Sequence, residues 1–283
     1  GLMAKAIGYV RNQRRTLRLF LEDGRIPIDN NACERAIRPI AIGRRNWLFA
    51  GSVRGGRAAA VVFSLAQSCR IAGVDPLDYF DFDLCHMSLD ASPRFEQEVL
   101  HRADGMITYR DRFGYTVRKQ DGRSGSMEFS DHVTTDRDAW ATIKPRFALS
   151  LDPNEPARID DTSYFAHFDP YPSWTEAVAK YQRLRAANRY MLFDFYGPWE
   201  ATWRHRGMDR LLLDVALDPD WLREMADTYV DLVLAILGRC LELGMKPDGV
   251  FLIEDLGSTR SLLFSPASWR ATLGPAFGRL GAF

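Results

Sequence analysis

The chain has 283 residues, 46% of them hydrophobic and 12% aromatic, which favours a globular protein of one or two domains with an apolar core. No apolar run approaches the roughly 18 residues that a membrane span requires, so we expect a cytoplasmic protein with no membrane partner. The cysteines form no C-x-x-C pair and are expected to be reduced thiols. They are Cys33, Cys69, Cys85 and Cys240.

The net charge is zero, but the two signs are unevenly distributed. Residues 1–80 hold 13 basic and 6 acidic side chains, a charge of +7. The whole chain has 37 of each, so residues 81–283 hold 24 basic and 31 acidic side chains, a charge of −7. A basic segment followed by an acidic one suggests contact with nucleic acid, although two unrelated surfaces with ordinary scatter would look the same.

Three helices are predicted in the basic segment. Apolar residues at helical spacing predict the first over residues 7–21, ending near Gly24. Asp29 and the asparagines after it are good N-caps for a short helix over 32–38, which Pro39 would stop. A third helix is predicted over 57–71. The run GRRNWLFAGS, from residue 43, combines residue types that stack on bases and pair with phosphates.

The motif D-N-N-x-x-E-R-x-x-R-P at residues 29–39 resembles the C-terminal catalytic end of the insertion sequence 66 (IS66) family of DDE transposases. The similarity extends from about Ala4 to Tyr79. In that family the Glu of this motif, here Glu34, is the third carboxylate of a catalytic triad that binds two Mg²⁺ ions for DNA transposition. The resemblance also implies that four arginines contact DNA phosphates. They are Arg35, Arg38, Arg44 and Arg45.

The chain departs from this family in a way that bears on activity. The two Asp residues of the triad belong to an RNase H-like sheet upstream of the matched segment, and Asp23 and Asp29 only flank the motif. One carboxylate cannot hold two Mg²⁺ ions. Glu34 can instead be read as an exposed helix residue paired with Arg38, worth about 0.3–0.5 kcal/mol. We therefore expect a transposase remnant without catalytic activity.

The sequence predicts two domains, residues 1–78 and residues 79–283. The transposase pattern closes at Pro76-Leu77-Asp78-Tyr79, which places the seam between Asp75 and Asp83. No Gly/Ser/Pro-rich linker separates the halves. An abrupt join of this kind suggests the fusion of two gene fragments.

The second part alternates strands and helices in the rhythm of a parallel sheet or barrel, so the predicted fold class is α/β. The predicted strands cover 109–117, 126–129, 190–196 and 249–253, and the predicted helices cover 173–188 and 218–243. A polar turn is expected at Asp121-Gly122.

Three phrases in this part are similar to the uroporphyrinogen decarboxylase superfamily of porphyrin biosynthesis, which also includes corrinoid and thiol methyltransferases: GPW…RGMDRLLLDVALDPDW, GVFLIEDLGS and LLFSPASWR. The resemblance implies a (β/α)₈ TIM barrel, here incomplete, with its active site at the carboxyl ends of the strands. Asp255 would then be a catalytic residue at the barrel mouth. The turn Gly197-Pro198-Trp199 would contact substrate, and Ser265 would cap the next helix.

Several superfamily residues are missing here. The decarboxylases carry a Tyr a few residues after the G-P-W turn, whereas this chain has Trp203, Arg204 and His205 there. The methyltransferases bind Zn²⁺ through His-x-Cys and a distant Cys, whereas Cys85-His86 are adjacent and Cys240 falls in a predicted helix. We therefore expect no cofactor in this chain, with Mg²⁺ belonging to the ancestral transposase and Zn²⁺ to methyltransferase relatives. His167 and His205 are expected on the surface or in loops.

Three functions stay open at this point. The first, which we favour, is an inactive chimera of two partial proteins. The second is a decarboxylase or methyltransferase acting on a tetrapyrrole or a methylated small molecule, with another chain completing its barrel. The third is a DNA-binding remnant that uses the arginines of residues 1–57. An open barrel would also expose two sheet edges, which favours self-association.

Overall fold

A computed structural model describes residues 2–26, 29, 31, 34, 37, 53–74, 79, 83–122, 126–150, 152, 154–160, 171–258 and 261–283. The chain divides into two compact units, residues 1–81 and residues 82–283. Each unit is described by itself below.

The described part of the first unit is helical. It contains helix α1 (Leu2–Asn12), a 3₁₀ helix (Thr16–Leu21) and helix α2 (Val53–Ala72). The single helix predicted over 7–21 is therefore wrong in detail, because a turn at 13–15 separates α1 from the 3₁₀ helix. The helix predicted over 57–71 is confirmed. It ends where Gly73 adopts a φ of +70°, a left-handed conformation that glycine takes without steric cost.

The described residues of the first unit bury very few apolar side chains. Cys69 is the one side chain among them that is buried, at 8% exposure. Val61, Val62 and Ile71 of α2 are 58%, 65% and 82% exposed. Apolar burial is the main stabilising contribution to folding, so these helices receive little of it from the described part of the unit.

The second unit is built around a four-stranded sheet in the order β6-β1-β7-β8. Its strands are β1 (Leu84–Leu89), β6 (Ile159–Asp160), β7 (Tyr190–Tyr196) and β8 (Gly249–Ile253). β7 pairs in parallel with β1 on one side and with β8 on the other, whereas β6 runs antiparallel to β1. The strands predicted over 190–196 and 249–253 are thus confirmed.

Helices α3 to α9 belong to the same unit. Their bounds are α3 (Arg137–Ile143), α4 (Trp174–Ala186), α5 (Pro198–Arg206), α6 (Met208–Leu217), α7 (Pro219–Glu242), α8 (Pro266–Thr272) and α9 (Gly274–Ala282). The predicted cap at Ser265 is confirmed, because its side chain accepts a hydrogen bond from a backbone N–H in the first turn of α8. The side chains of Ser173 and Asp218 cap α4 and α7 in the same way.

The core of this unit lies where the long helix α7 faces the sheet. Met225, Tyr229 and Val233 of α7 and Phe193 of β7 are at most 1% exposed. The Tyr229 hydroxyl donates to the backbone carbonyl of Tyr196 at 2.7 Å, so its polar atom is satisfied inside the core. This packing fixes the carboxyl end of β7.

A second sheet is an antiparallel meander in the order β2-β3-β4-β5. Its strands are β2 (Glu98–Ala103), β3 (Met106–Arg110), β4 (Thr116–Gln120) and β5 (Met127–Ser130). The single strand predicted over 109–117 is wrong, because the chain reverses at Asp111–Gly114, where Gly114 has a φ of +90°. The Asp111 side chain accepts from the Phe113 N–H at 2.9 Å and helps to form this turn.

The fold class is confirmed at the level of a mixed α/β protein with one largely parallel and one antiparallel sheet. No closed barrel is formed by the described residues, and the antiparallel strand β6 occupies one edge of the sheet that the sequence assigned to a partial barrel. None of the helices in the described ranges is both long enough and apolar enough to cross a membrane.

A buried ion pair fastens α5 to α6. Arg206 Nε and Nη2 donate to Asp214 at 2.7 and 3.0 Å, and both residues are less than 10% exposed. The second amino group of Arg206 donates to the carbonyls of Thr134 and Thr135. Every hydrogen-bonding edge of the guanidinium is therefore used, which offsets the cost of removing it from water.

Replacing Asp214 by Ala leaves this guanidinium buried without its counter-charge. We expect a loss of about 3–5 kcal/mol in the free energy of unfolding. The control is Asp220→Ala, which removes an exposed ion pair with Arg223 and should cost less than about 1 kcal/mol. Urea unfolding followed by tryptophan fluorescence measures both variants. Equal costs for the two would refute a stabilising role for the buried pair.

Candidate functional site at the carboxyl ends of the parallel strands

The carboxyl ends of β7 and β8 lie side by side because the two strands are parallel and in register from Leu192–Gly249 to Tyr196–Ile253. The N–H of Gly197 donates to the carbonyl of Ile253 at 2.7 Å, which extends the pairing one residue past β7. Ligand sites of parallel α/β sheets lie at this end of the strands. The residues that follow each strand are therefore the candidates for chemistry.

Glu254, directly after β8, places its carboxyl group against the start of α5. Its Oε1 accepts a hydrogen bond from the Glu200 N–H at 3.2 Å. Its Oε2 is buried and has no hydrogen-bond partner within the described residues. A Cβ atom on Gly197 would overlap Oε2, so a glycine at this position makes the close approach possible. The carboxyl group thus caps α5 from a neighbouring strand.

Burial dominates the electrostatics of Glu254 and raises its pKa from 4.5 to about 8. The backbone N–H groups of Glu200 and Trp199 oppose this shift, and the negative charges of Glu200 and Asp255 add to it. At neutral pH the carboxyl group is therefore mostly protonated. A protonated carboxyl in an apolar setting can donate a hydrogen bond to a ligand oxygen or release a proton to a basic atom.

A buried arginine, Arg204, lies on α5 one turn after Glu200. Arg204 donates to Glu200 Oε1 at 2.6 Å and to the Tyr115 hydroxyl at 2.7 Å, and its guanidinium lies 4.0 Å from the centre of the Tyr196 ring. It is 3% exposed. Glu200 therefore carries a counter-charge, and Glu254 is the less compensated of the two carboxyls.

The residues predicted to line the barrel mouth differ in their exposure to solvent. Gly197, Pro198 and Trp199 are buried, and the Trp199 ring is fully enclosed and lies 4.8 Å from the Phe264 ring centre. Asp255 is exposed, and its Oδ1 accepts from the Gly257 N–H at 3.4 Å. Their predicted roles in substrate binding and catalysis stay predictions.

The sequence pattern predicted Asp255 as the catalytic carboxyl at the strand end and gave no role to Glu254. Both carboxyls follow the same buried strand, and only the space left by Gly197 decides which one is buried. A glycine immediately after the neighbouring strand was the available signal, because it marks a close approach by another group. The sequence does not show that β7 and β8 are neighbours, and without this pairing the glycine does not indicate which residue approaches it.

The predicted DNA-contact residues fall largely outside the described part of the chain. Arg35, Arg38, Arg44 and Arg45 lie in undescribed segments, as does most of the short helix predicted over 32–38. Glu34 is described: its backbone is helical and its side chain is exposed. Its assignment as the third triad carboxylate stays a prediction.

Among the candidate metal ligands, Cys85 is half-buried in β1 and Cys240 is fully buried in α7. Burial raises the pKa of the Cys240 thiol to about 12. Across the described ranges no three His, Cys, Asp or Glu side chains are grouped closely enough to hold a metal ion.

The expectation that His205 lies on the surface or in a loop is wrong. His205 is fully buried in α5, where it stacks on Trp140 and its Nδ1 lies 2.8 Å from the Thr134 hydroxyl. Burial, together with His132 and Arg206, lowers its pKa to about 3. His167 lies outside the described residues.

The start of the chain is similar to a known family. Residues 1–58 match the family described as "Transposase IS66 family". No solved structure matches the chain.

Three curated relatives come from Sinorhizobium fredii (strain NBRC 101917 / NGR234). The uncharacterized protein y4qI is 52% identical over 97 residues, which is 34% of this chain and 18% of that protein. The uncharacterized protein y4hP is 49% identical over 70 residues, and y4jD is 42% identical over 74. These two matches cover 25% and 26% of this chain and 13% and 14% of those proteins. The chain therefore spans less than a fifth of each relative.

The raised pKa of Glu254 predicts a pH dependence of stability. Between pH 4.5 and about 8 the folded state keeps a proton that the unfolded chain releases, so the free energy of unfolding should fall as the pH rises through this window. The decrease due to Glu254 should be at most about 5 kcal/mol and should be absent from Glu254→Gln. Urea unfolding of both proteins at several pH values measures it.

Glu224→Gln serves as a control of opposite sign. A hydrogen bond from Lys144 holds the pKa of Glu224 below 4.5, so its stabilising contribution is present at neutral pH and is lost as the pH falls into the acid range. A wild-type minus Glu254→Gln difference that stays constant from pH 4.5 to 8 would show that Glu254 is ionised in the folded protein.

Proposed function

We propose that the chain is a chimera of an IS66 transposase remnant and part of a uroporphyrinogen decarboxylase-like barrel, and that these 283 residues alone catalyse neither reaction. The observation that carries the proposal is the contrast between the two units. The described helices of the first unit leave most of their apolar side chains exposed. The second unit packs its own core around a largely parallel sheet, and no described strand pairs with the outer side of its edge strand β8.

The transposase half of the proposal is supported by the family match to residues 1–58 and by the position of Glu34. Glu34 is an exposed helical residue, and the motif supplies no second carboxylate of the triad. Two-metal strand transfer needs several carboxylates around a pair of Mg²⁺ ions. The basic charge of residues 1–80 is retained, so weak DNA contact is the part of the ancestral function that can persist.

The barrel half of the proposal is supported by the three similar phrases and by the parallel order β1-β7-β8 with helices between the strands. The G-P-W and E-D phrases follow adjacent strands and meet through the Gly197–Glu254 contact. A complete (β/α)₈ barrel needs eight parallel strands, and the described sheet contains three.

A salt-titrated mobility-shift assay with a strand-transfer assay tests the transposase half. We expect binding of duplex DNA that weakens steeply as salt rises, and no cleavage or joining products with Mg²⁺ or Mn²⁺. Substituting Arg44 and Arg45 together by Gln should reduce the salt slope by about 2, whereas Arg118→Gln with Arg239→Gln in the second unit should not change it. Any strand-transfer product that depends on Glu34 would refute the proposal of an inactive remnant.

A second candidate function is favoured by one specific observation at the strand ends: Glu254 Oε2 is buried without a hydrogen-bond partner among the described residues, and burial raises the pKa of this carboxyl to about 8. In this alternative the second unit is a decarboxylase or methyltransferase, acting on a tetrapyrrole or a methylated small molecule, whose barrel another chain completes. Glu254 would hold a proton near the reacting atoms, and Asp255 would bind a cationic group or an N–H of the substrate.

Turnover by the purified chain separates these two proposals. We expect no release of CO₂ from uroporphyrinogen and no methyl transfer to a thiol above the level of the Glu254→Gln and Asp255→Asn variants. Wild-type turnover at least about tenfold above both variants would contradict the inactive chimera and favour the second candidate, since general acid–base groups contribute at least that factor.

A further inference from the structure

A cavity of about 550 Å³ lies in the second unit at the C-terminal end of α5, at the opposite end of that helix from Glu254. Its walls come from the end of β5, the loop that follows β5, and the junction between α5 and α6. The volume is in the range of small-molecule sites. None of the candidate catalytic, substrate-binding or DNA-contact residues of the preceding sections lines it.

His132 lines this cavity and carries a hydrogen-bond acceptor. Its Nδ1 lies 2.8 Å from the backbone carbonyl of Arg204, and since a carbonyl only accepts, Nδ1 carries the proton. Burial lowers the pKa of His132, and the charge of Arg210 lowers it further, so the ring is neutral at pH 7 and its Nε2 is an acceptor. That Nε2 makes no hydrogen bond to any residue in the described ranges.

The ring of His132 is held in place from both sides. It stacks on Tyr115 with an angle of 22° between the planes. On another side it lies so close to Gly207 that a Cβ there would sit 3.0 Å from the imidazole Cδ2. Gly207 has a φ of +91°, which also favours glycine. The acceptor is thus fixed in the folded protein before any ligand arrives.

Two aromatic rings form an apolar wall beside this acceptor. Phe129 and Trp203 lie 5.2 Å apart between ring centres and are inclined at 59°. Trp203 is 6% exposed and its Nε1 donates to Glu200, so its indole is anchored with one part of the ring facing the cavity. A planar aromatic ligand can pack on such a wall with a favourable offset or edge-to-face contact.

Charges of both signs stand at the rim. Asp131, Asp209 and Arg210 line the cavity and are exposed. Asp209 and Arg210 are neighbours in sequence at the start of α6, so a negative and a positive group stand side by side at the rim. A ligand that carries an ammonium and a carboxylate a few ångströms apart would satisfy both.

We propose that this cavity binds a free aromatic α-amino acid with a ring hydrogen-bond donor. The ring packs on Phe129 and Trp203, and its N–H or O–H donates to His132 Nε2. The α-ammonium group binds Asp131 and Asp209, and the α-carboxylate binds Arg210. The three polar contacts and the apolar wall together select this class over simple amines, simple acids and apolar aromatics.

Calorimetric titration of the full chain with four indoles tests each contact separately. L-Tryptophan should bind most tightly. 1-Methyl-L-tryptophan lacks the ring donor, tryptamine lacks the carboxylate, and indole-3-propionate lacks the ammonium. Each should bind roughly three- to tenfold more weakly than L-tryptophan, the usual effect of losing one such hydrogen bond. N-acetyl-L-tryptophanamide, which lacks both charges and mimics a tryptophan within a peptide, should bind roughly 10- to 100-fold more weakly than L-tryptophan.

Single-residue variants test which side chain binds the ammonium group and which binds the carboxylate. Asp209→Asn should weaken L-tryptophan and tryptamine but not indole-3-propionate, and Arg210→Gln should weaken L-tryptophan and indole-3-propionate but not tryptamine. The control is Asp104→Asn, which removes an exposed charge in the β2–β3 turn and should change no affinity. Asp131→Asn is matched to it, because both aspartates have a positive φ that asparagine tolerates, 54° for Asp131 and 53° for Asp104.

Two results would overturn the proposal. One is the absence of L-tryptophan binding at millimolar concentration to a protein whose circular dichroism spectrum and thermal unfolding midpoint show that it is folded. The other is equal affinity for all four indoles, or affinities that Asp209→Asn and Arg210→Gln leave unchanged, because the charged rim would then play no part.

Discussion

The parallel pairing of β7 with both of its neighbours is the constraint on which the second unit depends. Because β7 is parallel to β1 and β8, the carboxyl ends of all three strands meet at one edge of the sheet. The chain then leaves β7 through Gly197 and leaves β8 through Glu254, and the missing side chain of the first leaves room for the carboxyl of the second. Helix α5 begins directly after Gly197, and its last turn contains Arg204, His205 and Arg206.

The polar groups inside this unit show how a helix can be buried on nearly all sides. Residues 201–206 of α5 are all buried, although three of them are Arg204, His205 and Arg206. Each has a partner from another element: Tyr115, Thr134 and Asp214. Buried polar side chains are tolerated when they are hydrogen-bonded, and here the bonds also join the antiparallel sheet and α6 to the helix. The same helix therefore connects the strand-end carboxyl with the cavity at its far end.

Sequence patterns predicted the elements whose signals are local. Signals within a few positions of each other were enough for the strands over 190–196 and 249–253, the helix cap at Ser265 and the end of α2 before Gly73. What depends on contacts between distant segments was not predictable in the same way. The burial of His205 and the choice between Glu254 and Asp255 are of this kind, because each is decided by a partner more than 40 residues away. The turn inside 109–117 was missed for a local reason: the residues on both sides of it continue the strand pattern.

The described part of the first unit buries far less apolar surface than the second unit does. Hydrogen–deuterium exchange of the whole chain measures this difference directly, since amide protection follows the local free energy of opening. We expect strong protection of β7, β8 and α7, and exchange of α1 and α2 at close to the rate of an unfolded peptide. Protection of α2 comparable to that of β7 would contradict this expectation, because the first unit would then have a stable core of its own.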